Sequence, residues 1–220
     1  MSDDIVFSAL LEHAHRHSEG GRMGVSKQQA IENRKAIIRA ATRLFRERGV
    51  EAVGLNELMS AAGFTRGGFY NHFKSKDDLV AAVMMDAVEE AMARLDVAIA
   101  AARNAGHDPL RGVVNWFLSV DHRADLVEGC PLAAFVGDLP RLDESVRRTY
   151  ADGLEANLRR YTDIAATPGG DPVESRRRAL TVYSHMVGAL LLSRAVAHTD
   201  TALADEILDT SRQALLEGAF

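Results

Sequence analysis

Between Gly49 and Ser75 the chain has room for only two short helices, and glycine frames the first of them. The segment "LNELMSAAG" follows Gly54 and turns Leu55, Leu58, Met59 and Ala62 to one side, which is helical spacing. Glu57 stands three residues after the Gly54 cap position, half of a capping box. Gly63 ends this helix in a tight turn. Thr65 then offers an N-cap hydroxyl to a helix over Arg66 to about Phe73, and Ser75 with Asp78 caps a further one. That last helix runs through Leu79, Val83, Ala87 and Met92 to about Arg103. Upstream, Asn33 to Arg48 buries Ile37, Ile38, Ala41, Leu44 and Phe45 along one stripe. Its outer face carries Arg34, Lys35, Arg39, Arg43, Arg46 and Arg48, and Gly49 is its C-terminal stop.

Three modest helices therefore precede a long one. The second and third are joined by a glycine turn of three to four residues, a helix-turn-helix spacing over about 55–73. In units of this kind the second helix enters the DNA major groove. Net charge, −5, argues against a polyanionic partner until its distribution is read. From Arg22 to Lys76 there are 11 Lys+Arg against 4 Asp+Glu, so this +7 segment is joined to a remainder of −12. A basic module on an acidic body suits one part to a polyanion and the other to a different task.

"TRGGFYNHFKSK", Thr65 to Lys76, sets two glycines side by side inside the groove-facing segment. Each costs a helix interior roughly 0.5–1 kcal/mol relative to alanine. Close approach of bare backbone to DNA at Gly67 and Gly68 offsets that cost. Arg66, in the first turn, reaches a guanine edge, and Asn71 is a second base reader. Tyr70 and His72 carry polar tips suited to phosphate oxygens. Phe69 and Phe73, four apart, are core. Lys76 sits in the first turn of the next helix, where a cation is unfavourable unless a phosphate joins it. The plainer reading makes Gly67-Gly68 a flexible turn with packed aromatics.

The remaining residues, 83–220, are helical again. Only 5 prolines and few aromatics, with abundant alanine and leucine, favour an all-α protein. Arg111 to Val120 carries Val113, Val114, Trp116, Phe117 and Val120; "GCPLAAFVGDLPR" breaks at Pro140; Asp143 to Ile164 is amphipathic. Arg178 to Val196 is apolar nearly all round and needs cover on every side. Trp116, Phe117, Cys130, Phe135, Tyr183, His185 and Met186 combine apolar bulk with polar tips and are the candidate lining of a small-molecule pocket; each alone also suits plain core. Cys130, the single cysteine, excludes an intrachain disulfide and points to a reducing compartment. It is a sensor candidate, with an inert buried thiol as the alternative.

No catalytic residue is assigned. Cys130 with His122 or His185 is the only nucleophile–base pair on offer, without a supporting motif. No metal or cofactor is expected either: His13, His15 and His17 fit no common ligand spacing. No run of about 18 apolar residues calls for a membrane, and the N-terminus lacks a signal pattern, so a cytoplasmic protein is expected. Residues 1–30 read as a flexible extension, with Met23 a second candidate start.

Asn33 to Val83 resembles the N-terminal DNA-binding domain of the TetR/AcrR family of transcriptional regulators. The shared pattern is Ile37, Ala41, Leu44-Phe45, Gly49, Ala62-Gly63, Thr65, Gly67, Phe69-Tyr70, His72-Phe73, Ser75-Lys76 and Leu79. The resemblance implies a homodimer, paired through its last two helices, that binds a palindromic double-stranded operator and is released by a small-molecule effector. It also implies that Thr65, Tyr70, His72 and Lys76 hold phosphates while Arg66 and Asn71 read bases. The expected layout is a DNA-binding domain over 31–82 and an effector-binding and dimerisation domain over 83–220. The rival classes are a helical protein-interaction module and an enzyme dependent on Cys130.

Overall fold

The computed structural model describes residues 3–126 and 129–218, with side chains from Ser26 onward; His13, His15, His17 and Met23 lie outside the described side chains. Among the described residues every element is helical. The first helix, α1, is Asp3–Arg48, and α2 is Leu55–Ala61. A 3-10 helix, Arg66–Asn71, leads to α3, Lys76–Asn104. The larger part comprises α4 Pro109–Phe117, α5 Val120–Ala124, α6 Pro131–Phe135, a 3-10 turn Leu139–Arg141, α7 Glu144–Ala165, α8 Pro172–Val196 and α9 Thr201–Glu217. An N-terminal helix-turn-helix unit is thus followed by a larger helical domain, as expected.

Local signals explain most boundaries. Gly49 takes φ +81° and its N–H closes onto Phe45 O at 2.8 Å, ending the packed part of α1. Gly63 takes φ +83°, a left-handed turn that an L side chain would strain, and directs Phe64 N–H to Met59 O at 2.8 Å. Ser75 Oγ accepts Asp78 N–H at 3.1 Å while Asp78 Oδ2 accepts Lys74 N–H at 2.9 Å, a reciprocal cap.

Four expectations are revised. Helix α1 continues upstream of Asn33 to Asp3, and residues 26–30 are all exposed. The groove-facing helix is 3-10 and stops at Asn71 rather than Phe73. Thr65 stands at its N-cap position without a side-chain cap bond. Glu57 forms an ion pair with Arg48, and Gly54 has no side chain to supply the other half of the box.

One continuous core joins the two parts. Ile37, Ala41, Phe45, Leu58, Met59 and Phe69 pack with the start of α3 at Leu79, Val80 and Val83. Farther along, α3 meets α4 and α7, so a single helix runs from the helix-turn-helix into the larger domain. Helix α8 packs against α7 and α9; by length and composition it also passes as a membrane span, and 39% of that window is buried.

Candidate nucleic-acid interface

Phe69 and Phe73 build the interface from beneath. Their rings stack at 5.6 Å between centroids, and both are buried, at 1% and 2% exposure. Burying these two rings anchors the 3-10 helix and fixes which of its residues face out. Tyr70, edge-on to Phe69 at 5.3 Å, stays 64% exposed. Thr65, Arg66, Gly67 and Asn71 are also exposed, and His72 and Gly68 are half-buried. Seven of the eight residues selected for this face therefore lie along one short stretch, and Arg66, Tyr70 and Asn71 point away from the core.

The two glycines have no internal reason to be glycine. Neither has a positive φ. A Cβ built on Gly67 meets nothing within 4 Å, and one built on Gly68 meets only Met59 Cε at 3.9 Å and Thr65 Oγ1 at 4.0 Å. Alanine fits both positions in the free protein.

Lys76, the eighth residue, is engaged differently from the expectation. Its ammonium donates to Val50 O at 2.7 Å and Val53 O at 2.8 Å, and lies 5.9 Å from the Phe45 ring centroid. Two of its three N–H donors thereby tie the start of α3 to the loop between α1 and α2. The cation at a helix N-terminus is compensated by carbonyl oxygens of the same domain that lie 26 and 23 residues upstream.

The same loop is held from the larger domain. Asp138 Oδ2 accepts Val50 N–H at 3.2 Å, Arg141 bridges Asp138 and Glu51 at 3.2 and 3.3 Å, and Arg46 donates to Gly129 O at 3.1 Å.

Of the candidate pocket residues, Trp116, Phe117, Cys130 and Tyr183 come together. Trp116, Phe117 and Cys130 line a cavity of about 20 Å³ with Arg94, Leu95, His122, Asn157 and Tyr161. Cys130 Sγ lies 3.7 Å from Tyr183 Oη, and Tyr183 lies 5.0 Å from Tyr161 by ring centroids. Phe135 and Met186 are fully buried core outside that lining, and His185, half-buried on α8, is also outside it. Asn157 and Tyr161 were missed. Their signal was periodic: Leu154, Asn157, Leu158 and Tyr161 share the inner face of α7. Asn157, 7% exposed, has no partner for Oδ1.

The cavity is not a nucleophile–base site. The Cys130 amide donates to His122 Nε2 at 3.2 Å, so Nε2 is the acceptor nitrogen and the proton sits on Nδ1, directed at Phe117 O at 2.7 Å. Both ring nitrogens are occupied by backbone. Burial, the largest cause, holds the imidazole below histidine's ordinary range, against the opposing Phe117 bond. Among the described residues no group of His, Cys, Asp and Glu is placed to hold a metal ion.

Residues 37–83 match the family model described as bacterial regulatory proteins, tetR family. The chain is 50% identical over 54 residues to the HTH-type transcriptional regulator AcrR of Shigella flexneri, 24% of this chain and 25% of that one. It thus spans a quarter of that relative's length. A longer match, 24% identical over 165 residues, covers 74% of this chain and 86% of the HTH-type transcriptional regulator LmrA of Bacillus subtilis (strain 168). Among solved structures, E. coli NemR in its reduced form superposes with a TM-score of 0.69 at 17% identity, covering 84% of this chain and 95% of that one. The matched 37–83 segment holds α2, the glycine turn and the 3-10 helix, the stretch whose outward residues are described above.

Proposed function

We propose that this chain, which belongs to the TetR family of transcriptional regulators, acts as a homodimeric repressor that grips a palindromic DNA operator and lets go when a small molecule enters its larger domain. It is not an enzyme. The observation that carries the reading is the pair Gly67 and Gly68: two residues costly to a helix, the first exposed and the second half-buried, with no steric or dihedral need for glycine inside the protein. A duplex pressed against that backbone supplies the need. Arg66 and Asn71 then read base edges, and Thr65, Tyr70 and His72 meet phosphates.

Dimerisation through α8 and α9 accounts for apolar surface that one copy leaves bare. Leu180, Leu192 and Leu203 are exposed along these helices, and Val187, Leu191 and Ile207 are half-buried beside them. A second copy covers that surface, and a cytoplasmic, DNA-bound dimer needs no membrane to do so.

Effector release follows from the course of α3. Arg94 and Leu95 of α3 and Asn157 and Tyr161 of α7 line the small cavity. An organic molecule larger than a water needs more room than about 20 Å³, so its entry separates these helices. The unpartnered Asn157 Oδ1 favours an effector with a hydrogen-bond donor. Because α3 starts at Lys76, any tilt of it moves the loop that Lys76 holds. Binding the tilted state more tightly is what shifts the population away from DNA.

The test is selection of bound duplexes from fragmented genomic DNA, followed by competition at physiological salt. Recovery of a palindrome that outcompetes unrelated DNA by a thousandfold or so supports the reading. Equal competition by unrelated DNA rejects it.

A further inference from the structure

Arg34 is one of several charges on the outer face of α1. Its neighbours give it a more definite position. It precedes Ile37 and Ile38, both buried, by one helical turn, so its stem borders the packed stripe. Its guanidinium carbon lies 4.7 Å from the centroid of the Phe73 ring, the distance of a cation–π stack. Phe73 in turn stacks on Phe69 and directly follows His72. The guanidinium is thereby fixed beside the end of the 3-10 helix that faces outward.

Stacking uses the face of a guanidinium and leaves its in-plane N–H donors available. Arg34 is exposed, and among the described residues it makes no ion pair. Glu32, two residues before it on α1, lies 3.9 Å from Lys35. Lys74 is exposed on the same approach, one residue beyond Phe73.

We infer that Arg34 is a phosphate-contacting residue of the DNA interface, held by the Phe73 ring so that its fork of donors meets the duplex beside the 3-10 helix. The inference rests on the DNA-binding reading above and extends its footprint from the helix-turn-helix onto α1. It also supplies a phosphate-gripping cation in place of Lys76, whose ammonium is turned to Val50 and Val53. A bidentate guanidinium–phosphate pair carries no base preference, so its signature is electrostatic.

The experiment compares wild type with Arg34→Gln, Arg34→Lys and Arg34→Ala, on the selected duplex and on a mixed-sequence duplex, across a salt series. Glutamine keeps a planar head for the Phe73 ring but removes the charge. Its plot of log affinity against log salt should flatten by about 0.9 per bound protomer on both duplexes, with base preference unchanged. Lysine should retain most of the slope. Thermal melting of each free variant separates a folding defect from a lost contact. An Arg34→Gln slope equal to wild type overturns the inference while leaving the DNA reading intact. If wild type itself binds neither duplex, the DNA reading fails first.

Discussion

The side chain of Asp138, at the start of the 3-10 turn Leu139–Arg141, accepts the backbone N–H of Val50 at 3.2 Å, across the boundary between the larger domain and the helix-turn-helix. Val50 is gripped again through its carbonyl by Lys76 at 2.7 Å. The N–H and carbonyl of Val50 thus tie the 3-10 turn Leu139–Arg141 to α3 through the loop after α1, alongside the Arg141–Glu51 ion pair at 3.3 Å.

Removing the larger domain's half of this hold should loosen the loop without unfolding the core. Asp138→Ala gives up the charge-assisted hydrogen bond to Val50 together with the Arg141 pair, expected to lower stability by about 1.5–3 kcal/mol in denaturant unfolding. Amide exchange at Val50 should rise well above that of Val53. Unchanged protection at Val50 would show that the contact does not constrain the loop.

Removing Lys76 should cost more. Lys76→Met keeps most of the stem but strands the carbonyls of Val50 and Val53, for a loss of about 1–3 kcal/mol in the DNA-free protein. A residue whose sole task is to hold phosphate predicts no such loss. Unfolding curves of the free variant distinguish the two: a wild-type midpoint returns Lys76 to a purely phosphate-binding role.

These two residues also mark what a sequence can and cannot disclose. The stripe of α1, the glycine stops at 49 and 63 and the Ser75–Asp78 cap were legible because each depends on residues within about one turn. The outward set Arg66, Tyr70 and Asn71 followed from placing Phe69 and Phe73 inside. Helix type at 66–71 was not legible, because the choice between 3-10 and α bonding in a segment with two glycines is made by the packing of those rings. The grip of Lys76 depends on carbonyls 26 and 23 residues away, and that of Asp138 on an amide 88 residues away. Asn157 escaped notice because α7 carries so many polar residues that an inward one does not stand out.

Acidification should weaken the fold through His122. Its imidazole is held neutral by burial, below the ordinary value of 6.5, whereas in the unfolded chain it protonates at that ordinary value. The unfolded state therefore binds more protons below about pH 6.5, and stability falls as pH drops through that region while staying flat above it. Melting of wild type between pH 8 and 5 should show this decline. His122→Asn should be less stable at neutral pH and lose part of the slope. A variant with the full wild-type slope would assign the titration elsewhere.

The central claim is that bare backbone at Gly67 and Gly68 exists for the duplex and not for the protein. It is tested most directly by measuring, on the same Gly67→Ala and Gly68→Ala proteins, both unfolding free energy and affinity for the selected operator. Stability should equal that of wild type or exceed it by up to about 1 kcal/mol. Affinity should fall roughly tenfold or more, a penalty of ~1.4 kcal/mol or above. Alanine variants that bind the operator as wild type does, or that lose binding only because they unfold, would contradict it.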